Sequence, residues 1–411
     1  MRIAVIGAGP GGLAAAATAA ENGADVLLVD ENPRAGGQIW RHGPMAPPPK
    51  LAMEWIRRIQ AQRIETHFGV TVLGRDSNGL VAYSEQEGHV CLQCDKIILA
   101  TGARELFLPF PGWTLPNVFG AGGAQALLKA GMPVEGKRIV VAGSGPLLLA
   151  VAATFAKKGA HVVGILEQAG IHSLLQFAPE LIRHPAKLIQ GVGFGTRLFP
   201  TRPRFGTWVC RAMGNDIVRE VIATDGKREW PLPCDILACG FGLVPNVELA
   251  QALGCDVEKG KVSVDEHQAT SQSGVYCVGE STGIGGEDVA LLEGEIAALA
   301  ALDIPNVTSK IHERWRWESF VSNLGRAFAL RKEVLQLAED TTTVCRCEDV
   351  SFGVLKNQPD QRSAKLYTRC GMGPCQGRVC GPACHELFGW ELNKPRWPLS
   401  PVTLDALLDS Q

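Results

Sequence analysis

No apolar stretch in this 411-residue chain approaches the roughly 18 residues needed to cross a bilayer. An excess of charge of one sign is also missing. With 40 Lys and Arg against 42 Asp and Glu, the formal net charge is −2, so neither nucleic acid nor an anionic membrane surface is an expected partner. The N-terminus has almost no basic region. It is apolar from Ile3 and runs straight into Gly7-Ala8-Gly9, which reads as strand and phosphate loop rather than signal peptide. No Ser-His-Asp set or pair of carboxylates can be argued, and the nine scattered histidines offer no nominee for a base. What is left is a 46% hydrophobic chain long enough for two or three globular domains. Its 13 cysteines, in an expected cytoplasmic setting, read as thiols and metal ligands rather than disulfides.

The first positive signal lies at the start. Arg2 to Ile6 is short, apolar and β-branched, as a buried parallel strand should be. Gly7, Gly9 and Gly12 follow in G-x-G-x-x-G order with Pro10 among them, and then Leu13 to Ala20, nearly all alanine, reads as helix. A second apolar run, Asp25 to Val29, ends at Asp30-Glu31. The three glycines differ in what they allow. Gly7 permits the tight turn, Gly9 lets backbone approach a pyrophosphate, and Gly12 lets helix and strand pack closely. Asp30 is placed to accept hydrogen bonds from an adenosine ribose. Strand, loop, helix, strand and acid in register make this a dinucleotide-binding unit.

Three further elements resemble FAD enzymes of the glutathione-reductase type. Gly36-Gly37-Gln38 resembles their second glycine pair, and Lys96 to Ala103, carrying Thr101 and Gly102, resembles the strand and turn that close the FAD site. Gly274 to Glu280 resembles the last FAD element, in which an acid after Gly279 holds the ribitol; Glu280 stands where that family usually has Asp. The redox cysteine pair that class-one reductases place shortly after Gly36-Gly37 is absent.

A second fingerprint begins at Arg138 to Ala142, a β run followed by Gly143-Ser144-Gly145. A helix through Lys158 leads to the strand His161 to Leu166 and the acid Glu167. From Gly143 to Glu167 is 24 residues, against 23 from Gly7 to Asp30, so the βαβ unit is repeated. Leu148 replaces the third glycine, which pushes helix and strand apart; a nucleotide site and a fold that has lost its nucleotide both stand as readings. In this superfamily the second unit binds NAD(P), and Glu167 favours NAD because a carboxylate repels a 2′-phosphate.

Six of the 13 cysteines fall between Cys345 and Cys384. Thr343 to Cys380, with Cys345-Arg-Cys347 and Cys370-Gly-Met-Gly-Pro-Cys375-Gln-Gly-Arg-Val-Cys380, resembles the helical [2Fe-2S] domain related to bacterioferritin-associated ferredoxin. The resemblance implies Cys345, Cys347, Cys375 and Cys380 as ligands, with Cys370 the main rival and Cys384 a further one. Only 27 residues separate Cys347 from Cys375, a few short for this family, and four thiolates also suit Zn²⁺. Arg346, Arg369 and Arg378 are near enough in sequence to offset cluster charge. Cys91 and Cys94 read as opposite faces of one strand, and Cys210, Cys234, Cys239, Cys255 and Cys277 as small core residues.

The expected fold is therefore α/β: two Rossmann-like domains of the glutathione-reductase FAD/NAD(P) type and a small helical [2Fe-2S] domain. The FAD-binding domain takes residues 1–103 and 246–302, around an inserted NAD(P)-binding-like domain at 104–245. A helical connector at 303–340, packing on the flavin domain, leads to the cluster domain at 341–411. Gly43 to Pro49, with four prolines, reads as a stiff surface loop, and the basic stretch Arg183 to Arg211 as a solvated face.

Taken together, these features resemble the larger nucleotide-binding subunit of bacterial opine oxidases, dye-linked proline and D-hydroxyproline dehydrogenases, and hydrogen cyanide synthase. The resemblance implies a hetero-oligomer in which a separate FAD subunit, related to amino-acid oxidases, oxidises a C–N bond. This chain then relays the electrons, often through an FMN at the interface, and a small ferredoxin-like subunit is a further partner of that kind. Two other readings stay open: a self-sufficient NAD(P)H oxidoreductase, and a non-catalytic assembly or iron-sensing protein.

Overall fold

The computed structural model describes residues 1–42, 47–75, 79–85, 88–198, 201–392 and 394–404; part of the proline loop, at 43–46, lies outside them. The chain forms two compact units, one from residues 1–104, 244–321 and 394–411, the other from 105–243 and 322–393.

The first unit is built on a five-stranded parallel sheet. β1 (Arg2–Ile6) is central, β2 (Asp25–Asp30) and then Ile64–Phe68 lie to one side, and Lys96–Leu99 and then Val275–Cys277 lie to the other. Alternation along the strands feeds two cores. Ile3, Val5, Val26, Leu28 and Ile98 face one layer, and Ala4, Ile6, Leu27, Val29, Ile97 and Leu99 face the other, so the strands are apolar throughout. The helix α1 (Pro10–Glu21) is buried from Gly11 to Ala19, an unusual length for one helix. Its partner helix, Glu287–Ala301, explains this: a Cβ on Gly294 would stand 2.9 Å from the Ala14 methyl and run into the Gly11 carbonyl. Small residues on both faces let the two backbones approach. A three-stranded antiparallel sheet (Val70–Arg75, Leu80–Ser84, Gly88–Leu92) completes this unit. Cys91 is exposed within its last strand and Cys94 lies beyond that strand's end, so the two do not share one strand as expected.

The second unit repeats the plan. β3 (Arg138–Gly143) is central, with β4 (His161–Glu167) and Arg204–Phe205 on one side, and Ile236–Gly240 and Val118–Gly120 on the other, all parallel. The helix α2 (Leu147–Lys157) packs Leu148, Val151, Ala152 and Phe155 into the core beneath it. The strands Trp208–Met213, Glu220–Thr224 and Glu229–Pro233 form its antiparallel sheet. Of the cysteines expected in cores, Cys234, Cys239, Cys255 and Cys277 are buried, while Cys210 is half-buried and its thiol donates to the Ile222 carbonyl.

The connector divides between the units. The helix Thr308–Trp315 stays with the first, where Arg314 pairs with the buried Glu293 at 3.0 Å. Residues 322–340 instead pack on the second, where the sequence reading had the whole connector on the flavin domain. The cysteine-bearing segment follows as a short hairpin, Thr343–Cys345 with Val350–Ser351, a one-turn helix, Phe352–Leu355, and two longer helices. The helix Gln361–Thr368 is capped by Asp360, whose carboxylate accepts from the Ser363 amide at 2.7 Å; Cys380–Phe388 ends at Gly389 with φ +70°. Among the described residues no helix is long and apolar enough to cross a membrane.

Candidate functional site

In the first unit the expected residues gather at the C-terminal ends of the parallel strands, in two groups. The first is a glycine nest. Gly7 has φ +108°, and a Cβ on Gly12 would run into the Gly7 carbonyl, so the first turn of α1 sits directly on the loop. Gly36 donates to the Ala8 carbonyl at 2.7 Å, and a Cβ on Gly37 would fall 2.8 Å from the Gly9 Cα. The second glycine pair therefore lies against the first. The Asp30 carboxylate accepts from the amides of Ala8 (2.5 Å) and Asn32 (2.7 Å) and from the Asn32 side chain (2.7 Å). It braces the loop, with lone pairs left for a ribose. Glu31 and Gln38 are exposed beside it, and Pro10 opens the helix.

The second group comes from segments far apart in the chain. The Thr101 hydroxyl bonds the Asn246 carbonyl (2.7 Å) and the Ser281 hydroxyl (2.9 Å), and Ser281 also donates to the Gly102 carbonyl (3.1 Å). Gly279, at φ +71°, donates its amide to Glu293 (2.8 Å). Glu280 accepts from the Gly286 amide (3.0 Å), and burial raises its pKa while that amide lowers it. Trp40, just past the glycine pair, donates to Glu287 (2.9 Å). Asn246, Ser281, Glu293 and Trp40 were not found from sequence. Ser281, immediately after Gly279-Glu280, was the one with a local signal.

In the second unit Gly143 and Gly145 have φ +139° and +103°. Glu167 is 5% exposed and accepts from the amides of Gly145 and Ala169, each at 2.8 Å. Burial pushes its pKa up to about 7 against the pull of those two amides.

The cysteines converge, but in two sets. The sulfurs of Cys345, Cys370 and Cys380 lie within 4.8 Å of one another and are buried, and Cys384 is close to Cys370. Cys347 and Cys375 form a separate pair with sulfurs 3.9 Å apart, Cys347 exposed. Thiols of Cys370 and Cys380 hydrogen-bond the Cys345 sulfur and hold its pKa well below the ordinary thiol value. A Cβ on Gly373 would collide with Cys347, so this glycine is what lets the two cysteine stretches close on each other. Arg369 is engaged by Glu348 at 2.6 Å, which leaves less of its charge for a cluster than the sequence suggested. Trp113 donates to the Thr343 carbonyl at 2.6 Å and ties the cysteine segment to the second dinucleotide unit.

Paired Rossmann-type units, one carrying a complete glycine nest, define an FAD-dependent oxidoreductase. The chain belongs to the pyridine nucleotide-disulphide oxidoreductase family, which matches residues 1–294. Within it the chain is similar over nearly its whole length to subunits of known enzymes. It is 31% identical to the A subunit of opine oxidase from Agrobacterium tumefaciens (strain Ach5), across 98% of this chain and 90% of that one. It is 29% identical to the HcnB subunit of hydrogen cyanide synthase from Pseudomonas aeruginosa, across 99% and 98%. The L-proline dehydrogenase from P. horikoshii has the same fold, with a TM-score of 0.71 at 18% identity over 99% of this chain and 79% of that one.

Proposed function

We propose that this chain is the electron-relaying subunit of a cytoplasmic, hetero-oligomeric dehydrogenase that oxidises the C–N bond of an amino acid, imino acid or opine. The observation that carries the reading is the convergence of Cys345, Cys347, Cys370, Cys375 and Cys380 in a chain that also folds an FAD cradle. Two thiolates on one tetrahedral metal at 2.3 Å lie roughly 3.8 Å apart. The Cys347–Cys375 pair matches that spacing, and Cys345 with Cys380 offers a second pair. Two pairs suit a two-iron centre better than a single Zn²⁺. We assign Cys345, Cys347, Cys375 and Cys380 as its ligands, with Cys370 packing behind them.

FAD would be held over Gly7, Gly9 and Gly12, its ribose by Asp30 and Glu31, with Gly37 and Gln38 beside it, Thr101 and Gly102 closing the site and Glu280, after Gly279, holding the ribitol. A bound flavin supplies the conversion from two-electron to one-electron transfer, and an iron–sulfur centre carries single electrons; the chain's part is to hold both. An amino-acid-oxidase-like partner would remove two electrons and two protons as CH–NH becomes C=N, passing them on through an interface FMN. A small ferredoxin-like subunit is a further candidate partner. Similarity to subunits named for opine oxidase and hydrogen cyanide synthase supports this division of labour.

The test is turnover with an artificial electron acceptor. The isolated, flavin-loaded chain is expected to leave proline, D-hydroxyproline and octopine untouched, and to support oxidation of one of them when co-expressed with an amino-acid-oxidase-like subunit from the same organism. Oxidation by the isolated chain would overturn the proposal.

A further inference from the structure

The family implies a pyridine nucleotide in the second unit, and the residues there do not fit one. A phosphate-binding loop works by presenting free amides at a helix N-terminus, with a free acid for the ribose. In the first unit Leu13 donates to the Gly9 carbonyl at 2.8 Å, a regular α-helical first turn starting at Pro10. In the second, α2 starts at Leu147, and its entry is closed by tighter i to i+3 bonds, Leu148 to Gly145 and Leu149 to Pro146, both 3.2 Å. Its acid is also spent differently. Both acids accept a loop amide, but Asp30 takes that of Ala8, between the two glycines, whereas the longer Glu167 takes that of Gly145, the second loop glycine, where backbone would approach a pyrophosphate.

The side-chain donors at the loop are taken by the chain itself. The Ser144 hydroxyl donates to the Phe328 carbonyl at 2.7 Å. Gln168, with no exposed surface, donates to Ser144 Oγ (2.9 Å) and the Ala329 carbonyl (3.1 Å), and its own carbonyl accepts from the Arg331 amide (3.0 Å). Side chains anchor the same segment. The Phe328 ring meets Phe177 edge-on at 6.3 Å, the Arg331 guanidinium lies 5.1 Å from the Trp208 ring, and Asn323 donates to the buried Glu180 at 3.0 Å. The space directly beside Gly145 stays open, so it is the hydrogen-bonding edge of the site, not its volume, that is committed.

We propose that the second dinucleotide unit has exchanged its nucleotide for this chain's own connector. The backbone of residues 328–331 is the ligand of Ser144 and Gln168, and NAD(P) does not bind there. The unit then serves as the mount for the cysteine-bearing segment that begins at Thr343, rather than as an entry port for hydride. This holds whether or not a partner subunit supplies the electrons.

Hydrogen exchange on the full, flavin-loaded chain tests it site by site. Peptides over 143–149 and 326–331 are expected to exchange at the same rates with and without excess NADH. Gln168→Ala is expected to speed exchange over 326–331 about tenfold, the loss of one to two net hydrogen bonds, while peptides of the first unit stay unchanged. Ser144→Ala, a gentler change, should give roughly a few-fold increase in the same peptides and serves if Gln168→Ala does not fold. Protection of 143–149 by NADH overturns the proposal. So does a connector whose exchange neither substitution alters.

Discussion

The two βαβ units share strand order, helix placement and acid position, yet they handle the same volume in opposite ways. In the first, Gly12 meets the Gly7 backbone and the Ala100 methyl, and the helix presses onto the loop. In the second, Leu148 fills the corresponding place. The neighbouring strand makes room with Gly240, where an added Cβ would come within 3.3 Å of the Leu148 side chain. Helix–strand packing is preserved in both because large on one side is matched by small on the other. A nucleotide site requires more, namely loop amides left for the ligand, and in the second unit the Gly145 amide goes to Glu167 instead. Retention of a fold and retention of its ligand are separable at single residues.

The strongest way to break this comparison is to move the second unit's residue into the first. Gly12→Leu is expected to abolish flavin retention and unfold the first unit, read as loss of flavin absorbance after desalting together with loss of helical circular dichroism. A variant that kept its flavin would show that packing against Gly7 is not what separates the units.

The cysteine segment on the second unit gives the next largest effect. Cys345→Ser is expected to lose all iron and acid-labile sulfide while keeping flavin, and Cys370→Ser to keep iron with the fold weakened. Iron lost in Cys370→Ser and retained in Cys347→Ser would move Cys370 into the ligand set.

Shrinking the large partner sharpens the contrast from the other side. Leu148→Ala should cost about 2–5 kcal/mol in urea unfolding, since it opens a cavity against Gly240. It should create no NADH binding by calorimetry, because the donors remain taken. The smallest effect concerns pH. Glu167 keeps its proton up to about 7 in the folded chain and to about 4.5 when unfolded. The folded state binds more protons across that window, so stability from this group is fully present below the window and falls as pH rises through it, by at most about 3 kcal/mol. Glu167→Gln should flatten the fall in urea midpoint between pH 5 and pH 8; an unchanged slope would place the titration elsewhere.

Much of this is legible in the sequence alone. β1 spans the segment expected of it, and β2, β3 and β4 each run one residue longer, because glycine and an acid closing an apolar run carry their own geometry. The paired units of the fold followed from that repeat. The rewired second site was not legible. Ser144 and Phe328 are 184 residues apart, and Gln168 and Ala329 are 161 apart; a hydroxyl or amide finding a carbonyl at that distance leaves no periodicity or spacing behind. Leu148 was the one local hint, and it spoke to packing while the decisive change lay in who accepts from which amide. The grouping of Cys370 with Cys345 and Cys380 was hidden for a similar reason: sequence orders the thiols along the chain, and the turn at Gly371 to Gly377 decides which face inward.

The Cys347–Cys375 pair also sets an order of events in the life of the polypeptide. Two sulfurs 3.9 Å apart, one of them open to solvent, need only a small movement to join if oxygen or another two-electron oxidant arrives before a metal does. If the pair ligates iron as proposed, a newly folded chain is in a race between iron delivery and air, and the loser is recorded in its thiol count. Chain made under iron starvation and purified aerobically should titrate two thiols short, and the same chain made with ample iron should not.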